Sequence, residues 1–266
     1  MIDEKARRCP FCGSPLRASC LTCRSCGREL TMESIEEKRK FELNQFYKHS
    51  DPICDTVDFV KSATVKILCS TSQKGVGGTG FFVEERGKTY LVTNYHVVKL
   101  YKEGGVVTVR LPDHLNSRKD DYLTFVVGED PINDIALLNV PFELPNAIIP
   151  LRLADLATLR QGQTVVTVGN PQGIDFDCIQ GIVSNVCIKI HEARMSQILC
   201  SLNASHGNSG GAVVRNSDRE VIGVATAILP PDYMQSHTVC ASADAVRQMI
   251  YIHEKKINND GGCSFA

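Results

Sequence analysis

Three short segments carry side chains that together can perform nucleophilic acyl transfer. They are Thr93-Asn94-Tyr95-His96-Val97-Val98, Asn133-Asp134-Ile135-Ala136-Leu137-Leu138 and Gly207-Asn208-Ser209-Gly210-Gly211. A serine hydroxyl is a weak nucleophile until a base removes its proton. Imidazole does this near neutral pH when a carboxylate fixes its tautomer and stabilises the imidazolium that forms. His96, Asp134 and Ser209 would be that base, acid and nucleophile, spaced by 38 and 75 residues. Taken singly, each has a plainer reading: a satisfied strand-end histidine, a loop acid opening a buried strand, and a glycine turn. The order His, Asp, Ser, with each residue in its expected local context, favours the joint reading. The glycines fit it as well. Gly207 can adopt a positive φ and turn its N–H toward the reaction centre, while Gly210 and Gly211 leave room for a substrate backbone. The N–H groups of Gly207 and Ser209 would then form an oxyanion hole.

A second cluster lies near the N-terminus. Cys9-Pro10-Phe11-Cys12-Gly13-Ser14-Pro15-Leu16 is echoed by Cys23-Arg24-Ser25-Cys26-Gly27-Arg28-Glu29-Leu30. Two C-x-x-C-G turns separated by ten residues form a zinc-ribbon pattern, because each turn presents two thiolates to one ion and two turns complete a tetrahedral S4 site. Cys9, Cys12, Cys23 and Cys26 are the expected ligands of a structural zinc. Cys20 with Cys23 forms an alternative C-x-x-C pair that lacks the trailing Gly and Leu. A redox dithiol is the competing chemistry. A fragment this short cannot fold by core burial alone, so the metal would serve as its core.

The elements that must position these groups are mostly strands. The 266 residues, 43% of them hydrophobic, suffice for a sizeable core. Short β-branched runs fall at residues 63–69, 78–84, 88–93, 105–111, 121–128, 134–140, 163–169, 178–188, 198–202, 211–214, 220–228 and 237–241. A dozen such runs without helical periods between them point to antiparallel barrels or a sandwich. A helical linker is expected over 31–52, closing at the break Asp51-Pro52, and a short C-terminal helix from Ala243 to about His253, with a tail over 256–266. The expected domains are a ribbon at 1–30, the linker at 31–52 and a catalytic domain at 53–255.

Charge and cysteine usage narrow the setting. A net charge of -1 gives no general affinity for nucleic acid or anionic lipid, and no apolar run approaches the ~20 residues of a membrane span. Residues 1–30 hold six Lys/Arg against three Asp/Glu, a surplus that four zinc-bound thiolates would reduce to about +1. Nucleic-acid tethering is therefore the weaker alternative for the ribbon, and a protein partner is expected. The charged N-terminus lacks a signal-like apolar stretch. With scattered cysteines at 54, 69, 178, 187, 200, 240 and 263 read as reduced and mostly buried, the expected location is cytoplasmic.

Four further segments sharpen the functional expectation: Gly78-Thr79-Gly80-Phe81-Phe82, Val168-Gly169-Asn170-Pro171-Gln172-Gly173, Gly181-Ile182-Val183-Ser184 and Val221-Ile222-Gly223-Val224-Ala225-Thr226-Ala227-Ile228. With the His, Asp and Ser segments, the run from about 62 to 252 resembles a trypsin-like (chymotrypsin-fold) serine protease, most closely the HtrA/Deg branch. The resemblance implies an all-β fold of two perpendicular six-stranded antiparallel barrels, with His96 and Asp134 on the first and Ser209 on the second. It implies an endopeptidase acting on protein or peptide substrates. An inactive protease-fold scaffold is the alternative from a different class. It also implies that Thr226, Ala227 and Ile228 line the substrate groove, and that the S1 position where trypsin carries an acid holds Asn203. Basic specificity is then disfavoured, and a small-to-medium apolar P1 residue is expected. A homotrimer using an N-terminal segment with Phe41, Phe46 and Tyr47 is a further implication. The sequence departs from the family in the expected lack of a PDZ module and of a secretory signal.

Overall fold

The computed structural model describes residues 9, 12, 14, 21–31, 52–112, 120–140, 143–145, 147–170, 176–189, 195–228 and 237–260. The chain divides into two compact units, Met1–Cys54 and Asp55–Ala266. Most of the expected linker, together with Cys20, Phe41, Phe46 and Tyr47, lies outside the described residues.

A helix, Pro52–Ala63, begins before the unit boundary and leads into the first strand of the larger unit. Pro52 opens this helix: proline at the first helical position loses no intrahelical bond, and its φ suits the helix. Thr56, Val60 and Ala63 form the buried stripe of this helix, a 4-and-3 spacing on one face. Fourteen strands follow among the described residues: β1 Thr64–Ser70, β2 Gly75–Glu85, β3 Lys88–Thr93, β4 Val106–Arg110, β5 Tyr122–Thr124, β6 Val126–Asp130, β7 Ile135–Leu138, β8 Leu151–Leu153, β9 Thr164–Gly169, β10 Asp177–Ile188, β11 Gln197–Cys200, β12 Ala212–Arg215, β13 Glu220–Ile228 and β14 Thr238–Ser242.

The second half closes on itself. The order β12-β9-β10-β11-β14-β13 returns to β12 through pairing of β12 with β13, giving a six-stranded antiparallel barrel. Register shifts in β10, β12 and β13 bend the strands as closure demands. Val165, Val183, Ile198, Leu202, Val213, Ile222 and Cys240 fill its core. In the first half the order is β5-β4-β1-β2-β3-β7-β6, around a core of Val65, Ile67, Phe82, Leu91, Val109 and Ala136. The inward alternation of β1 (Val65, Ile67, Cys69) shows why its β-branched run forms a half-buried strand. The three-residue β8, too short to leave a sequence signal, pairs in parallel with β2 and β13 and joins the halves.

The C-terminal helix, Ala243–Asp260, buries Ala243, Ala245, Val246, Met249 and Ile250 and packs on β6, β7 and β13. Farther along, Glu254 accepts from Tyr90 Oη at 2.8 Å and Lys88 Nζ at 3.2 Å. The Tyr90 hydroxyl, followed by Lys88, holds the Glu254 carboxyl below its usual range. Of the scattered cysteines, Cys69, Cys200 and Cys240 are buried, whereas Cys54, Cys178 and Cys187 are exposed. The expectation of burial fails for the β10 pair because much of that strand is only partly covered. Cys263 lies outside the described residues. Among the described residues no helix is long and apolar enough to cross a membrane.

Candidate active site and cysteine cluster

His96 and Asp134 meet because their strands are neighbours. β3 pairs with β7, with Thr93 opposite Ala136, so the residues just beyond β3 and just before β7 sit at the same end of the sheet. After Thr93 the chain enters a one-turn helix, Tyr95–Val98, pinned by buried Val97 and Val98. Before β7, Asp130 Oδ1 accepts from the N–H groups of Ile132 and Asn133 at 3.0 and 3.1 Å. The chain then turns through Asp134 at φ 55°, a left-handed conformation that aspartate tolerates better than most residues. Asn94 Nδ2 supports that conformation by donating to Asp134 C=O at 2.7 Å, and also donates to Thr226 Oγ1 at 3.2 Å.

The Asp134 carboxylate grips His96 twice. Its Oδ2 lies 2.6 Å from the ring Nδ1, and its Oδ1 accepts the His96 backbone N–H at 2.8 Å. The His96 side chain keeps 37% of its surface exposed and that of Asp134 21%, so the ring is open on the side away from the acid. This arrangement directs Nδ1 to the carboxylate and leaves Nε2 for proton exchange.

Ser209 lies in the loop between β11 and β12. Asn208 N–H donates to Ser205 C=O at 3.1 Å, and Gly207 occupies the third position of that turn at φ 105°, the geometry of a type II turn that favours glycine. Gly210, at φ 88°, donates to Ala225 C=O at 2.9 Å, and Thr79 N–H donates to Ser209 C=O at 2.8 Å. The Ser209 loop is thus tied to both halves. No hydrogen bond joins Ser209 to His96 among the described residues, a link that in substrate-free sites is often long and tightens on binding.

Ser209 lines a recess of about 180 Å³ with Ala204, Ser205, Ala225, Thr226, Ala227 and Thr238. Thr226 and Ala227 were expected there. Asn203 is not among the lining residues: it is exposed while Leu202 and Ala204 are buried, because the extended chain alternates its faces and turns residue 203 outward. Ile228 ends β13 opposite Thr238; its side chain lies outside those described. Ser205, Ala225 and Thr238 were missed, since they reach the recess through folding rather than through any local pattern. His206 is exposed beside the turn.

In the smaller unit, the Sγ atoms of Cys9, Cys12, Cys23 and Cys26 all lie within 4.8 Å of one another. Cys9 and Cys26 Sγ are 3.8 Å apart, and Cys12 and Cys23 Sγ 3.7 Å. Ligands of a tetrahedral zinc with bonds of about 2.3 Å stand about 3.8 Å apart, so the donor set fits that ion. The sequence repeat is also a structural one: Cys9 N–H donates to Ser14 C=O at 2.8 Å and Cys23 N–H to Arg28 C=O at 2.9 Å. Gly27 takes φ 72° in the second turn, which explains the glycine after Cys26.

The profile of the trypsin-like peptidase domain matches residues 78–224, more than half of the chain. The chain belongs to the trypsin-like peptidase family. Relatives include the periplasmic serine endoprotease DegP of Escherichia coli (strain K12), 33% identical over 214 residues, which cover 76% of this chain and 42% of that protein. The mitochondrial serine protease HTRA2 of Bos taurus is 34% identical over 185 residues, 67% of this chain and 36% of that one. The chain therefore spans less than half the length of these relatives. Among solved structures, Deg5 aligns with a TM-score of 0.60 at 25% identity, covering 74% of this chain and 91% of its own. The HtrA-type protease AlgW, solved with a tripeptide, shares the fold with a TM-score of 0.61 at 23% identity, over 74% of this chain and 62% of its own.

Proposed function

We propose that this chain is a serine endopeptidase that cleaves peptide bonds of protein substrates through Ser209, His96 and Asp134. The observation that carries this reading is the pair of hydrogen bonds that the Asp134 carboxylate accepts from His96, in a trypsin-like peptidase whose Ser209 loop holds Gly207 at positive φ. As Ser209 Oγ attacks the scissile carbonyl carbon, His96 Nε2 takes its proton. The oxygen of the tetrahedral intermediate becomes anionic and is met by the N–H groups of Gly207 and Ser209. Collapse breaks the C–N bond, His96 returns the proton to the leaving amine, and an acyl-enzyme remains. Water, activated by the same imidazole, then releases the acid. Each oxyanion donor contributes on the order of 2.7–4 kcal/mol to the transition state.

The substrate would lie along Thr226–Ile228 as an added strand. β13 pairs with β14 through Ile228, whereas its pairing with β12 ends at Val224, so the far end of β13 keeps one backbone edge for a peptide. Among the described residues, the recess beside Ser209 is lined by small and hydroxyl side chains and the Asn208 amide, with no charged group, which suits a small, uncharged P1 residue. The first half is read as a second barrel: β5 pairs with β4 and β6 with β7, and Phe125 alone separates β5 from β6. One strand kinked at Phe125 would close the ring. An active-site fluorophosphonate should label the parent protein and leave Ser209→Ala unlabelled. A parent that resists labelling under all conditions would remove the assignment.

For the smaller unit we propose a zinc ribbon held by Cys9, Cys12, Cys23 and Cys26, a structural site that docks a protein partner, in a reducing, cytoplasmic setting where thiolates persist. Four protein ligands leave no open position, so zinc would supply folding energy and no catalysis. Metal analysis should find about one zinc per chain, lost in the double variant Cys9→Ser plus Cys12→Ser. A metal-free protein with an intact N-terminal unit would overturn the ribbon.

A further inference from the structure

The buried side chain at the centre of the nucleophile loop does not anchor it. Asn208 is 1% exposed, yet among the described residues neither its Oδ1 nor its Nδ2 has a hydrogen-bond partner. The polar anchor comes instead from Thr79, a fully buried residue of β2. Its N–H donates to Ser209 C=O at 2.8 Å, and its hydroxyl donates to Gly207 C=O at 2.7 Å. The same Oγ1 accepts from Asn170 N–H at 3.1 Å and from Asn170 Nδ2 at 3.4 Å. Thr79 C=O is in turn held by Thr93 Oγ1 at 2.7 Å. With Asn170 donating into its lone pairs, the Thr79 hydroxyl must spend its one proton on Gly207. The clamp is therefore directional: backbone N–H on one loop carbonyl, side-chain O–H on the one two residues earlier.

We propose that Thr79 is a positioning residue for the oxyanion hole, holding Gly207 C=O so that Gly207 N–H stays aimed at the substrate oxygen. The need for such a clamp follows from glycine itself. Gly207 at φ 105° has no side chain to bar it from negative φ, and a type II turn becomes type I when its central peptide rotates. Of the two peptides flanking Gly207, the following one is fixed by Thr79, and the turn bond from Asn208 N–H to Ser205 C=O spans the preceding one. Removing the hydroxyl frees the first constraint and leaves the second, so the hole forms part of the time. The proposal rests on Ser209 being the nucleophile.

The test compares Thr79→Val, which keeps the shape and loses the hydroxyl, with Thr79→Ser and Thr79→Cys. The probes are a fluorophosphonate for acylation rate and p-nitrophenyl acetate for kcat and KM. Thr79→Val should acylate about 30-fold more slowly, equivalent to about 2 kcal/mol at 1.36 kcal/mol per tenfold, with KM within about twofold, since Thr79 does not line the recess. Thr79→Ser should recover to within about threefold of the parent and Thr79→Cys, a weaker donor, should fall between. A merely structural role would track thermal stability, and Ser would not rescue the rate. A folded Thr79→Val acylating at the parent rate, or Ser no better than Val, would overturn the clamp. If Thr79→Val does not fold, equal rates for Thr, Ser and Cys would overturn it equally. A parent that fails to label at all would instead remove the Ser209 assignment on which the clamp depends.

Discussion

Asp134→Asn should lower the acylation rate of Ser209 by about 10,000-fold, or about 5 kcal/mol, while leaving the protein folded. The size follows from the two-point grip on His96. The carboxylate offers two acceptors and meets two donors, the backbone N–H at 2.8 Å and the ring Nδ1 at 2.6 Å. An amide of the same shape offers one acceptor and one donor group. The His96 backbone N–H can only donate, so the amide oxygen must take its side, and the NH2 then faces Nδ1. That forces Nδ1 to accept and moves the ring proton to Nε2, where the ring can no longer take a proton from Ser209. Folding should survive, because asparagine also tolerates the left-handed backbone at φ 55°. The measurement is the fluorophosphonate labelling rate alongside a thermal melt. A loss below tenfold at unchanged melting temperature would mean that Asp134 does not set the tautomer.

The degree to which this site was legible in the sequence depended on how local each interaction is. His96, Asp134 and Ser209 each sit in a short segment whose neighbours repeat a recognisable chemistry, so their order along the chain marks them as candidates. β3 and β13 matched the expected runs because their apolar stretches end at turns. The groups that hold the site were not legible. Thr79 reaches Gly207 across 128 residues, and Asn94 reaches Thr226 across 132. Both stand in segments the sequence singles out, yet nothing local says which distant partner a threonine in the 78–84 strand or an asparagine after a strand will bond. Asn203 is the converse case: its distance from Ser209 suggests a pocket residue, and the period-two alternation of its flanking residues leaves it exposed. The helix Pro52–Ala63 was hidden by reading Asp51-Pro52 only as a break, although proline is equally at home in a first helical turn.

Gly210→Ala should abolish labelling and cost the larger unit at least about 4 kcal/mol, a shift of roughly 10 °C or more in melting temperature for a domain of this size. A Cβ at this position would stand 2.1 Å from Thr79 C=O, 2.4 Å from Thr93 Oγ1 and 3.1 Å from Asn94 N. None of these can yield cheaply. The Thr79 carbonyl is backbone of a paired strand, and Thr93 Oγ1 is bonded to that same carbonyl at 2.7 Å. Asn94 begins the turn that presents His96. Relief would move the loop away from β2 and break both the Thr79 N–H bond to Ser209 C=O and the Gly210 N–H bond to Ala225 C=O. Gly162→Ala separates this packing effect from backbone strain. Gly162 has a similar φ of 84°, but an added Cβ there meets nothing within 4 Å, so only the left-handed penalty of about 1–2 kcal/mol applies. If the two variants lost equal stability, conformational strain alone would account for Gly210, and the close approach of the serine loop to β2 would not constrain the site. A large loss in Gly210→Ala against a small one in Gly162→Ala would instead locate the constraint in the contact between β2 and the loop, the same contact through which Thr79 acts.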